Sequence, residues 1–214
     1  MIENIKGAIF DLDGTLLDSM KMWRSVSNTY LINMGITPKA GLPEYLQHKS
    51  LSEACEYIKE NYPVPYTCEE IISQMFKNIT DFYANEALLK EGAKEYLLKL
   101  KDMGIPITLA TATDEPLMMS SLKRLGIYDI FDKIFTCQEL STRKTEPKIY
   151  ETALAFMGTH KEDTYVFEDI LDALKTAKNA GFKTCGVYDE MSEKDIEEIK
   201  KTSDIFINSF KELL

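Results

Sequence analysis

Short apolar runs, each followed by a segment of helical periodicity, recur through most of the chain, and this alternation restricts its fold more than any other feature. The runs are Lys6–Phe10, Pro106–Ala110, Lys133–Thr136, Thr164–Glu168, Lys183–Val187 and Asp204–Ile207. Each is brief and nearly continuous in apolar residues, the pattern of parallel strands covered on both faces. Between them lie helical patterns at about 91–103, 115–125, 146–157, 170–180 and 192–201. Gly104, Gly126, Gly158 and Gly181 stand where a left-handed C-terminal cap would end four of these helices. Strand and helix in alternation predict an α/β fold, a doubly wound, Rossmann-like parallel sheet with right-handed crossovers.

One interval interrupts the alternation. Residues 17–88 contain no convincing strand, but they carry amphipathic helical stripes. Trp23, Val26, Tyr30 and Met34 form one stripe, and Leu51, Ala54, Cys55 and Ile58 a second. Ile72, Met75, Phe76, Ile79 and Phe82–Tyr83 form a third, and Pro63 and Pro65 mark a loop between helices. The expectation is a small all-helical domain, 17–88, inserted into a core made of 1–16 and 89–214.

Composition narrows the classes of partner. With 25 basic against 35 acidic residues among 214, the net charge is −10. Such a surface repels polyanions, so neither nucleic acid nor an anionic membrane face is an expected partner. No run approaches the roughly 20 apolar residues of a membrane span, and the N-terminal residues lack the pattern of a secretory leader. The cysteines Cys55, Cys68, Cys137 and Cys185 show no C-x-x-C or zinc-type spacing. Reduced thiols in a cytoplasmic protein, a monomer or weak homo-oligomer, are the corresponding expectation.

Ligands of open parallel sheets bind beyond the carboxyl ends of the strands, near the point where strand order reverses. The first run ends at Asp11 and Asp13, the second at Thr111, the third leads to Lys144, and the fourth ends at Glu168-Asp169. Each residue alone has a plain structural explanation. Asp11-Leu12-Asp13-Gly14 suits a loop with a glycine turn, Lys144 suits a solvated surface, and Glu168-Asp169 suits a helix N-cap. Together, in strand order, they present carboxylates, a hydroxyl and a cation. Residues two apart in an extended segment point the same way, so Asp11 and Asp13 could face one pocket. A carboxylate can attack phosphorus to form an aspartyl phosphate, and a second carboxyl can move the protons. Such a cluster beside a phosphate dianion is repulsive, and Mg²⁺, with its preference for oxygen ligands, would relieve it. Asp169 is the further carboxylate for such an ion, with Glu168 beside it, while Lys144 and Thr111 would hold phosphoryl oxygens. Pro147, three residues after Lys144, can open the next helix.

These residues resemble the motifs of the haloacid dehalogenase superfamily over essentially the whole chain. Asp11-Leu12-Asp13-Gly14-Thr15 resembles its D-x-D-G-T motif, and Ile107-Thr108-Leu109-Ala110-Thr111 its apolar strand ending in a hydroxyl. Lys144-Thr145-Glu146-Pro147 matches K-x-x-P, and Val166-Phe167-Glu168-Asp169 the apolar run closed by an acidic pair. The likeness is to the subgroup with a helical cap, which holds β-phosphoglucomutase and phosphoglycolate phosphatase. It implies a Mg²⁺-dependent phosphatase of small phosphorylated metabolites, with Asp11 as nucleophile and Asp13 as acid/base. The backbone carbonyl of Asp13 would bind the metal with Asp11, Asp169 and Glu168, and Thr111, the Ala112 amide and Lys144 would hold phosphate. The segments Leu16–Ser19 and 87–91 would be the hinges of the cap.

Departures from the family pattern sort its branches. Dehalogenases lack the second aspartate, so Asp13 implies phosphoester chemistry. Mutases of the β-phosphoglucomutase type place a histidine twelve residues after the nucleophile, where Trp23 stands, and an arginine near Gln47-His48-Lys49-Ser50, which has none. Hydrolysis is therefore expected over mutase activity, with a silent binding module as the remaining alternative. Asp172 replaces a residue that is small in many relatives, and a role in the helix turn is expected for it.

Overall fold

The computed structural model describes Ile2, residues 4–46 and residues 49–214; Gln47 and His48 lie outside them. The chain forms two compact units, Met1–Ser19 with Ala87–Leu214, and Met20–Glu86.

The first unit is built on one parallel sheet of β1 (Gly7–Phe10), β2 (Ile107–Thr111), β3 (Lys133–Thr136), β4 (Thr164–Glu168), β5 (Lys183–Val187) and β6 (Ile205–Ile207). Its spatial order is β3-β2-β1-β4-β5-β6. Every pairing is parallel, with Phe10 level with Leu109 on one side and with Phe167 on the other. Pro106 has no N–H for the ladder, so β2 begins one residue later than its apolar run, and the Pro106 carbonyl accepts from Ala8 N–H.

Alternate residues of these strands serve opposite faces. Ile9, Ala110 and Val166 join Phe135, Ile149, Tyr150, Ala153, Ala177 and Phe182 in one buried cluster. Phe10 and Phe167 face the other way and stack at 4.2 Å, with Tyr96 and Phe210 closing over them. The covering helices are α5 (Ala93–Asp102), α6 (Glu115–Arg124), α7 (Lys148–Met157), α8 (Leu171–Asn179) and α9 (Ile196–Thr202). The segment expected as a helix over 192–201 divides. Asp189 accepts from Met191 N–H and opens a 3₁₀ stretch, Glu190–Asp195, before α9 begins.

The second unit contains α1 (Met20–Asn33), α2 (Leu42–Leu46), α3 (Leu51–Asn61) and α4 (Cys68–Asn85). Capping boxes Ser50/Glu53 and Thr67/Glu70 fix the starts of α3 and α4, each satisfying two orphan amides reciprocally. Its core joins Val26, Tyr30 and Leu31 with Ala54, Cys55 and Ile58 and with Ile71, Met75, Ile79 and Tyr83. Met34, expected on the α1 stripe, lies past the end of that helix. The Trp23 indole N–H donates to the Tyr83 hydroxyl at 3.0 Å, so this half-buried ring is anchored within the helical unit.

All four cysteines are free thiols. Among the described residues, no helix is long and apolar enough to cross a membrane.

Candidate active site

The sheet order sets the place of the site. Chain progression runs from β1 to β2 and β3 on one side, then returns to β4 on the other, so β1 and β4 flank the switch point. Asp11 follows β1 directly, its N–H donating to Phe167 O, and Glu168 and Asp169 close β4. Thr111 ends β2.

Asp11, Glu168 and Asp169 are buried together, each with a carboxylate oxygen within 4.8 Å of the others. Lys144 joins them from the loop after β3, in ion pairs with Asp11 and, at 2.5 Å, with Glu168. Glu168 also accepts the amides of Asp169 and Ile170 at 3.0 and 3.1 Å. It thus braces the turn into α8 while aiming Lys144. The N-cap of α8 is Ile170 rather than either acid, and the exposed Asp172 sits in its first turn, where a negative charge suits the helix dipole.

Hydroxyls organise the rest. Thr15 is fully buried and donates to Asp169 Oδ1 at 3.0 Å. Asp13 lies outside the three-carboxylate cluster. Its two carboxylate oxygens accept from Ser19 and Thr113, each at 2.6 Å. The Thr111 hydroxyl accepts from Thr113 N–H at 3.0 Å, and Ala112 is exposed between them. Thr113 was readable from the alternation Thr111-Ala112-Thr113, which turns both threonines to one side; Ser19 had no comparable signal. A further ion pair, between the part-buried Lys90 and the buried Asp189 at 2.9 Å, lies within electrostatic reach of Asp169. Its members are far apart in the sequence, and nothing local marks them.

Burial dominates the electrostatics, and the proximity of like charges adds to it. Burial, reinforced by the Glu168 charge, pushes the Asp11 carboxyl up to about 7, with Lys144 opposing. Burial and the charges of Glu168 and Asp11 hold Asp169 well above the usual carboxylate range. Burial alone would lower Lys144, but the Asp11 and Glu168 charges outweigh it and keep the ammonium firmly protonated. One ammonium does not balance this cluster. Asp169 Oδ2 is buried with no hydrogen-bond partner, a costly position for a carboxylate oxygen and a suitable one for a cation ligand. The all-oxygen donor set fits a hard divalent ion.

Residues 8–187 match the family model described as Haloacid dehalogenase-like hydrolase. Among curated relatives, the glyceraldehyde 3-phosphate phosphatase of Pyrococcus abyssi is 28% identical over 84% of this chain and 80% of its own length. The validoxylamine A 7'-phosphate phosphatase of Streptomyces hygroscopicus subsp. limoneus is 26% identical, covering 85% of each chain. CbbY from Rhodobacter sphaeroides, solved in complex with phosphate, superposes with a TM-score of 0.77 at 25% identity, over 98% of this chain and 96% of its own. β-Phosphoglucomutase from Clostridium difficile shares the fold, with a TM-score of 0.67 at 22% identity over 98% and 93% of the two chains. The match over most of the chain, together with relatives that are phosphatases, identifies this protein as an enzyme of the haloacid dehalogenase-like hydrolase family.

Proposed function

We propose that the protein is a Mg²⁺-dependent phosphatase of small phosphate monoesters that works through an aspartyl phosphate on Asp11. The observation that carries this reading is the buried group of Asp11, Glu168 and Asp169 with Lys144, set at the carboxyl ends of β1 and β4. Asp11 attacks phosphorus and the bond from phosphorus to the ester oxygen breaks. Asp13 gives its proton to the departing alcohol. Water then attacks the phosphorus of the aspartyl phosphate, Asp13 takes the water's proton, and inorganic phosphate leaves with the Asp11 carboxylate restored. Lys144, Thr111 and the Ala112 amide hold the phosphoryl oxygens as charge moves between them. Asp11, Asp169, Glu168 and the Asp13 carbonyl are the residues that would hold Mg²⁺, which when bound offsets carboxylate and phosphate charge and so lets both approach.

The relatives suggest the substrate class. One acts on glyceraldehyde 3-phosphate, and another, from Thermotoga maritima, is described as a phosphorylated carbohydrates phosphatase. Small sugar and polyol phosphates are therefore the first substrates to try, in the presence of Mg²⁺. Release of inorganic phosphate by the wild type and its abolition in folded Asp11→Asn protein are expected. Substantial turnover in that variant would overturn the mechanism. Isomerised product from hexose 1-phosphate and a bisphosphate primer, without free phosphate, would instead establish a mutase, and inactivity across a broad ester panel a silent binding module.

A further inference from the structure

The segment after Asp13 is a compact turn tied to another part of the chain. Leu16 and Leu17 amides donate back to Leu12 O, Gly14 N–H donates to Leu17 O, and Asp13 bridges to Leu17. Leu17 in turn forms an antiparallel bridge with Leu89, flanked by Asp18 N–H to Leu88 O at 3.0 Å and Lys90 N–H to Leu16 O at 2.8 Å. The extended residues Leu88–Lys90 are thus a splint along the turn that bears Asp13.

Something must hold the splint, and its own side chains offer one strong anchor. Leu88 is exposed. Lys90 is largely buried; its ammonium reaches across to the loop after β5, pairing with Asp189 at 2.9 Å and donating to Tyr188 O at 2.5 Å. Asp189 is itself buried, and its other carboxylate oxygen accepts from Met191 N–H. That loop is fixed to the sheet, since Tyr188 N–H donates to Ile207 O. A continuous path therefore runs from β5, through Asp189 and Lys90, through the Leu16–Leu89 backbone ladder, to Asp13. The ion pair is also close enough to Asp169 for both its charges to be felt there.

We propose that Lys90 and Asp189 are positioning residues for the reaction: their largely buried ion pair anchors the Leu88–Lys90 splint and so holds the Asp13-bearing turn where its carboxyl can serve the leaving oxygen. This rests on the reading of Asp13 as the acid/base. The pair touches no substrate. A buried pair contributes little net stability over a well-packed alternative but fixes geometry, which suits this use.

The discriminating property is the leaving group. A p-nitrophenolate leaves without a proton, whereas the alkoxide of a sugar phosphate needs one from Asp13. The test compares wild type, Lys90→Met, Asp189→Asn and the double variant, with kcat and KM measured on p-nitrophenyl phosphate and on an alkyl phosphate such as glycerol phosphate. Asparagine keeps an acceptor for Met191 N–H, and the double variant leaves no lone buried charge, so its fold is testable by thermal melting. We expect kcat/KM, which reports only the steps up to the aspartyl phosphate, to fall by up to roughly 100-fold on the alkyl ester, the scale of losses from small misplacements, and much less on p-nitrophenyl phosphate; kcat also carries the hydrolysis step, in which Asp13 serves both esters alike. The double variant should lose no more than either single one, because one path has been cut. Equal losses of kcat/KM on both esters, or none, in a folded double variant of an active wild type would overturn this inference alone. A wild type that hydrolyses neither ester would overturn the proposed function and this inference with it.

Discussion

At the scale of single residues, the site is a contest between burial and charge. The role of nucleophile proposed for Asp11 requires its ionised form, yet burial and Glu168 push it up to about 7, and Lys144 is the group that resists this. Replacing Lys144 with Met should abolish phosphatase activity and should also cost stability in a pH-dependent way. Without Lys144 the Asp11 carboxyl is held higher still, so ionising it costs the variant more than the wild type, and the loss of stability should be larger near pH 8 than near pH 6. Urea unfolding of metal-free protein at the two pH values measures this, and an equal loss at both would contradict it. Thr113 offers a finer check. Its hydroxyl donates to Asp13 at 2.6 Å, so Thr113→Val should shift the pH profile of kcat while leaving the fold and KM nearly intact. A profile identical to wild type would remove Thr113 from the account.

Among the elements, two glycines show how differently similar turns are constrained. Gly92 precedes α5 with φ of 77°, and a Cβ there would lie 2.6 Å from Lys211 N and 3.0 Å from the Phe210 carbonyl carbon. Gly35 has φ of 72° but nothing within 4 Å of the same position. Gly92→Ala should therefore cost roughly 2–4 kcal/mol, from strain and overpacking together, and Gly35→Ala about 1–2 kcal/mol from strain alone. Comparable melting temperatures for the two variants would refute the distinction. The elements themselves were legible because buried parallel strands are short apolar runs, and Gly104, Gly126, Gly158 and Gly181 all adopt the positive φ expected of helix-ending glycines. Departures came where hydrogen bonding overrode pattern. Pro106 cannot donate to the ladder, and Asp189 turns the start of the last helical segment into a 3₁₀ stretch.

For the whole molecule, acidity and metal binding should be linked through stability. In the metal-free protein, Asp11 keeps its proton up to about pH 7, whereas in the unfolded chain it releases it near pH 4. The native state binds more protons in that window, so this group makes stability fall as pH rises from about 4 to 7, and then level off. A divalent ion competes with that proton, so the rise in Tm on adding Mg²⁺ should be larger at pH 8 than at pH 5.5. An increment independent of pH would argue against the carboxylate cluster as the metal site. The sheet, the inserted helices and the residue types at the strand ends can be read from the sequence, because they depend on periodicity and on chemistry local to a few positions. The placing of Asp11, Thr111 and Asp169 at strand ends follows on that basis. The pairings between side chains come from the folded chain: Lys144 bridging Asp11 and Glu168, Ser19 and Thr113 holding Asp13, and Lys90 reaching Asp189 across 99 positions of sequence. Such contacts are set by strand order and loop closure, which bring together side chains from distant parts of the chain; local pattern can aim a residue such as Thr113 but does not name its partner.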